Sequence, residues 1–162
     1  MTQADEFVKA NAHYADQFTK GGLPTPPGRH VAVVACMDAR LDPAKALGLE
    51  EGDAHVIRNA GGRVADAIRS LVISQQLLGT REVVVLHHTD CGMLSFTDDQ
   101  LRQKIQTDLG VETDEPFYPF TDLDQSVRDD VEMIRTSPLL LKDIPVSGYI
   151  YDVHSGKIAE VK

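Results

Sequence analysis

The sequence predicts an α/β fold, in which a central, mostly parallel β-sheet is flanked by helices and ends in an antiparallel C-terminal edge hairpin. Three observations predict it. Two apolar runs rich in β-branched residues, "HVAVVAC" (30–36) and "REVVVLHH" (81–88), read as strands buried on both faces. Between them lie a shorter strand and a helix-period segment, and strand, helix, strand in that order implies parallel pairing with right-handed crossovers. The last stretch, "VSGYIYDVHSGKIAEV" (146–161), carries two strand-like halves about a His154-Ser155-Gly156-Lys157 turn.

The elements follow in chain order. The first segment places Phe7, Asn11, Tyr14 and Phe18 on one helical face, and Gly21-Gly22 ends it. "LPTPPGRH" then reads as an extended connector, because Pro24, Pro26 and Pro27 cannot sustain a helix. This N-terminal helix and Pro-rich arm (1–28) either covers its own domain or reaches across to a second subunit. After the strand at 30–36, "AHVIRNAGG" (54–62) is a shorter strand ending in glycines. Residues 64–80 form a helix with Val64, Ile68, Leu71 and Leu78 in one stripe and Gly79 as its stop. A further helix starts at a capping Thr97 or Asp98 and stops at Gly110. A loop broken by Pro116 and Pro119 leads to a helix over 121–135 with Leu123, Val127, Val131 and Ile134 at helical spacing. The first half of the terminal hairpin joins the sheet and the second forms its edge.

The chain has 162 residues, which fits a single domain (1–162) with room for a real core. With 42% hydrophobic and 25% charged residues the composition is that of a soluble globular protein. A formal net charge of −9 argues against a nucleic-acid partner or an anionic membrane, since both need a positive surface. Residues 97–130 hold ten acids against three bases, so most of the negative charge sits in one segment, read as solvated surface. "MTQADEFVKANAHY" has no basic start and no apolar run, so neither a signal peptide nor a membrane span is expected. The expected location is cytoplasmic and reducing, where the two cysteines are thiolates rather than a disulfide.

Those cysteines occupy equivalent positions. Cys36 ends the first buried strand, and Cys91 lies just past the end of the strand at 81–88, in "LHHTDCGM". In open parallel sheets ligands sit beyond the carboxyl ends of the strands. If the two strands are neighbours, Cys36, His88 and Cys91 converge. Two thiolates and an imidazole suit zinc, and the His-x-x-Cys spacing lets a tight turn aim both side chains at one ion. With only two cysteines a four-sulfur structural site is impossible, and three ligands leave a fourth position open, as in catalytic zinc sites. His87 points the other way on an extended backbone and is assigned to the fold; His13, His30, His55 and His154 are likewise not ligand candidates. "CMDAR" adds Asp38 and Arg40. If that stretch stays extended, Cys36, Asp38 and Arg40 project to one side. Asp38 can then take the open coordination site or accept a hydrogen bond from metal-bound water, with Arg40 holding it ionised in a bidentate pair.

Three stretches, "CMDARLDP" (36–43), "VIRNAGG" (56–62) and "HTDCGM" (88–93), together resemble the β-class carbonic anhydrases, in particular their compact prokaryotic branch. The resemblance implies one zinc ion (Zn2+) per chain on Cys36, His88 and Cys91, with Asp38 and Arg40 as the catalytic dyad and Asp38 as a possible fourth ligand in a closed state. It implies hydration of carbon dioxide to bicarbonate by a zinc-bound hydroxide. It also implies a homodimer or homotetramer in which the N-terminal helix embraces the partner, and Gly61 and Gly62 as pocket backbone. Two departures, alanine at 39 and Met93 after Gly92, are expected to reshape the pocket without removing a chemical group. The chain has no tryptophan, so the Trp-containing regulatory bicarbonate site of some relatives is not expected. Family members of similar size hydrolyse carbonyl sulfide or carbon disulfide with the same groups. A non-catalytic zinc protein is a third reading, against which the intact Asp38–Arg40 pair argues.

Overall fold

The computed structural model describes residues 2–162. Five strands form one sheet in the order β2-β1-β3-β4-β5: β1 (Val31–Cys36), β2 (Ala54–Asn59), β3 (Glu82–His88), β4 (Val146–Tyr151) and β5 (Ile158–Val161). The first four are parallel and β4–β5 is antiparallel, as the sequence predicts. The central strands β1 and β3 are neighbours in register, with Ala35 opposite Leu86.

One face of the sheet carries the main core. Ala32, Val34, Val83 and Val85 pack there against Leu71 of α3 (Ile68–Leu78) and Val127, Val131 and Ile134 of α5 (Leu123–Thr136). A Cβ on Gly148 of β4 would collide with Val127, so α5 lies directly on the strand backbone. On the other face Val33, Ala35, Cys36 and Leu86 meet Leu41, Cys91 and Met93, with α2 (Pro43–Leu47) at the side. This alternation sends His87 toward α5 and His88 toward the second face.

Four details differ from the sequence reading. The strand expected over 54–62 stops at Asn59, and Ala60–Gly62 and Val64–Asp66 are 3-10 turns that precede α3. The short α2, capped by Asp42 with Pro43 at its first position and Gly48 at its end, is too brief to show periodicity. The chain turns at Asp38 instead of staying extended, with the Leu41 N–H donating to the Asp38 carbonyl. Asp130, counted among the solvated acids, is fully buried on the inner side of α5.

The helix α1 (Gln3–Asp16) is fixed locally by a capping box between Thr2 and Asp5. It buries no residue, and Phe7, Tyr14 and Phe18 stay exposed. α4 (Asp98–Leu109) starts at Thr97 and ends at Gly110 as predicted. Among the described residues no helix is long and apolar enough to cross a membrane.

Candidate metal centre

Because β1 and β3 are adjacent, their carboxyl ends bring Cys36, His88 and Cys91 together. All three are buried, and their ligand atoms lie within 4.8 Å of one another. They are the group the sequence singled out, and no other histidine joins them among the described residues. The imidazole of His88 is oriented from behind, because Nδ1 donates to the Thr89 carbonyl at 2.8 Å. That leaves the lone pair on Nε2, which is buried and has no hydrogen-bond partner among the described residues. An unpartnered buried nitrogen facing two sulfurs is costly on its own and fits a soft divalent cation.

The electrostatics point the same way. The Cys36 thiol is held well below the ordinary thiol range, first by the hydrogen bond from Cys91, then, against burial, by His88 and the backbone N–H groups of Asp38 and Gly61. Cys91 is pushed upward by the neighbouring Cys36 thiolate and by burial. Burial works to lower His88, but the pull of the Cys36 thiolate outweighs it and the net shift is upward. One thiol thus ionises readily and suppresses the other, and only a cation lets both be thiolates.

Asp38 stands beside this trio, with Oδ2 3.7 Å from His88 Nε2. The turn at Asp38 folds Arg40 back onto it. Arg40 Nε donates to Oδ1 at 3.0 Å, Nη2 to Oδ2 at 2.8 Å, and the Arg40 backbone N–H to Oδ1 at 2.8 Å. The side-chain bonds of Arg40 and then its backbone N–H hold the Asp38 carboxyl far below the usual carboxylate range.

Sequence reasoning missed two supports. Asp90, in a left-handed conformation at φ 55°, accepts from Arg40 Nη1 through Oδ2 at 2.8 Å and from Nη2 through its carbonyl at 2.9 Å. Arg40 therefore ties the Asp38 turn to the His88–Cys91 loop. Arg58 at the end of β2 donates to the carbonyls of Cys36 (3.0 Å), Asp38 (2.9 Å) and Leu41 (2.7 Å), bracing the whole 36–41 turn. The cation in "VIRNAGG" was visible, but its partners are carbonyls, which leave no mark in a sequence.

Gly61 and Gly62 lie against the same ligand loops. Both have positive φ, and a Cβ on Gly61 would meet Met93 at 2.8 Å, while one on Gly62 would meet Cys36 N at 2.9 Å. His87 turns away from the trio and hydrogen-bonds Ser126 and Asp130.

Comparison with known proteins agrees with this geometry. The carbonic anhydrase family model matches residues 31–115. The chain is 49% identical to β-carbonic anhydrase 1 of Mycobacterium tuberculosis over 162 residues, covering 99% of each. It is 35% identical to a carbon disulfide hydrolase of Saccharolobus solfataricus, covering 95% of this chain and 86% of that one. The crystal structure of a carbonic anhydrase from Streptococcus mutans matches with a TM-score of 0.95 and 52% identity, over 100% of this chain and 99% of that one.

Proposed function

The chain belongs to the β-class carbonic anhydrase family, and from that premise we propose that it hydrates carbon dioxide reversibly to bicarbonate and a proton at a zinc ion held by Cys36, His88 and Cys91. The observation that carries this reading is the unpartnered, buried His88 Nε2 facing two thiols, with a clamped carboxylate 3.7 Å away. Zinc bound there supplies a Lewis acid that makes water a nucleophile at neutral pH. The protein's own groups do the rest. Thr89 fixes the ring of His88 through Nδ1, which leaves Nε2 turned toward the two sulfurs as the ligand atom. Asp38, kept ionised by Arg40, accepts a hydrogen bond from the attacking water and so orients it toward the carbon of the substrate. Gly61 and Gly62 are pocket backbone, where no side chain fits between the glycine turn and the ligand loops. Asp38 also has the alternative of closing the fourth position as a ligand.

The reading extends to assembly and location. An α1 that buries nothing of its own, with Phe7, Tyr14 and Phe18 exposed, supports a homodimer or homotetramer in which this helix covers the partner. Residues 1–162 then act as one unit. Two free cysteines in a ligand role fit a reducing, cytoplasmic setting.

The test is zinc content and carbon dioxide hydration for wild type and Asp38→Ala. We expect about one zinc per chain in both and a loss of roughly a hundredfold or more in hydration for the variant. Wild-type protein that takes up no zinc sinks the assignment. The identity to carbon disulfide hydrolases supports a second reading; bound zinc with no hydration but sulfide release from carbon disulfide would decide for it.

A further inference from the structure

His87 is a buried titratable side chain that the reaction proposed above does not use. Its Nε2 faces two acceptors, Asp130 Oδ2 at 3.0 Å and the Gly62 carbonyl at 3.2 Å, so that nitrogen carries a hydrogen and donates to both. Nδ1 lies 2.8 Å from the Ser126 hydroxyl, which itself donates to the Leu123 carbonyl at 2.7 Å. The ring stacks on Phe120 with centroids 5.6 Å apart. Asp130 is wholly buried, and its Oδ1 sits 3.4 Å from Nη2 of Arg63, whose guanidinium lies over the same Phe120 ring.

A buried carboxylate is a poor way to gain stability, since apolar residues of similar volume often do as well or better. What this one does is fix a direction. Through His87 it holds the Gly62 carbonyl, while Asn59 grips the next residue from the other side, accepting from Arg63 N at 2.7 Å and donating to Arg63 O at 2.9 Å. Gly62 is thereby pressed against the backbone of Ala35 and Cys36, and the backbone of Gly61 is among the groups that lower the Cys36 thiol.

We propose that Asp130, acting through His87 and the Gly61–Gly62 turn, is a positioning residue for the Cys36 thiolate and sets how tightly that thiolate holds its metal. The Asp130–His87 pair reaches the site from behind the sheet, through α5, and meets it through the backbone of the Gly61–Gly62 turn. Outer hydrogen-bond partners of this kind typically carry about 10–100-fold in metal affinity. The proposal rests on the zinc reading of Cys36, His88 and Cys91.

The experiment compares wild type with Asp130→Asn, which keeps the shape and removes the charge. Two quantities are read: zinc affinity by competition with a chromophoric chelator, and the thiolate-to-metal and d–d absorption bands of the cobalt-substituted protein. The expected result is zinc affinity lower by about tenfold or more, with shifted cobalt bands. A merely structural role would lower the melting temperature of the metal-free variant and leave affinity and bands at wild-type values, and that result overturns the proposal. If Asp130→Asn does not fold, Ser126→Ala, which removes the Nδ1 partner together with its bond to the Leu123 carbonyl, decides by the same readouts: a fall in affinity with shifted bands supports the network and wild-type values overturn it. Wild-type protein that takes up no zinc overturns this proposal and the zinc reading together, whereas normal wild-type uptake with an unchanged variant overturns this one alone.

Discussion

Gly62 offers the sharpest test of how the glycine turn fits the metal centre. Its φ is +64°, and a Cβ there would stand 2.9 Å from Cys36 N, 3.0 Å from the Ala35 carbonyl carbon and 3.3 Å from Ala35 Cα. The left-handed conformation alone costs an alanine roughly 1–2 kcal/mol. The clash adds more, because all three atoms are backbone of the central strand β1 and cannot rotate away; forced overpacking of this kind costs about 1–3 kcal/mol. Gly62→Ala should therefore lose roughly 2–5 kcal/mol, a fall in melting temperature of about 4–20 °C for a chain of this size. Gly110→Ala is the matched control. Its φ is +68°, but nothing lies within 4 Å of its Cβ position, so it bears only the conformational cost, about 2–8 °C. Thermal melts of the two metal-free variants separate the terms. Relief of the clash must also shift Cys36, so Gly62→Ala should retain zinc less well in a chelator challenge while Gly110→Ala holds it like wild type. Equal melting temperatures for the two variants, with equal zinc retention, would refute the argument that the turn is in backbone contact with the ligand strand.

Three further outcomes follow from the contacts. Removing the guanidinium in Arg40→Gln should raise the Asp38 pKa toward the ordinary carboxylate value, because side-chain bonds from Arg40 are the main cause of its depression. A depressed carboxyl contributes stability that is present above its unfolded-state pKa and is lost as pH falls through the folded-state value. Acid unfolding of Arg40→Gln should thus begin at higher pH, and carboxyl carbon NMR should place the Asp38 midpoint upward; an unmoved midpoint refutes the clamp. Asp90→Asn weakens one hold on Arg40 but spares both Asp38 bonds and the Asp90 carbonyl contact, so kcat/KM for hydration should fall by only about two- to fivefold, far less than in Asp38→Ala. Replacing exposed aromatics of α1, as in Phe7→Ser with Tyr14→Ser, should shift sedimentation toward the monomer without changing far-UV helicity, since the capping box of α1 is untouched; an unchanged oligomer would show that α1 does not cover the partner.

Reading depth varied along the chain for physical reasons. The strands and the Cys36, His88 and Cys91 trio were legible because burial writes continuous apolar runs, and because parallel neighbours place their carboxyl ends at one edge. Arg58 was not, since it acts across the fold on carbonyls that any residue supplies, and neither was Asp90, whose partner Arg40 lies far away in the chain. Asp130 was hidden by its company. It sits in an acid-rich stretch, and charge patterning assigned the whole stretch to solvent. A finer signal existed, for Ser126 and Asp130 are four apart and flank the Val127 and Val131 stripe, placing two polar groups beside the buried face of α5. The short α2 was readable only from its ends, Asp42-Pro43 and Gly48. The turn at Asp38 defeated the expectation of an extended "CMDAR" because it is fixed by long-range bonds from Arg58.

That turn also explains why one arginine serves two carboxylates. Asp38 lies next to groups that become two thiolates once a metal is bound, and its own negative charge is drawn toward the same cation. On the zinc reading proposed above, an Asp38 free to swing would fill the fourth position and exclude water. Arg40 opposes this by donating to both Asp38 oxygens, so that swinging the carboxylate inward strains these charge-assisted bonds. The guanidinium cannot simply follow the carboxylate inward, because Asp90 holds its outer edge at both the side chain and the carbonyl. On that reading, keeping Asp38 ionised and keeping the fourth position open would be two results of the same contacts. Asp90 would then bear on the proposed hydration through the balance between ligand and acceptor roles of Asp38, by way of its hold on Arg40.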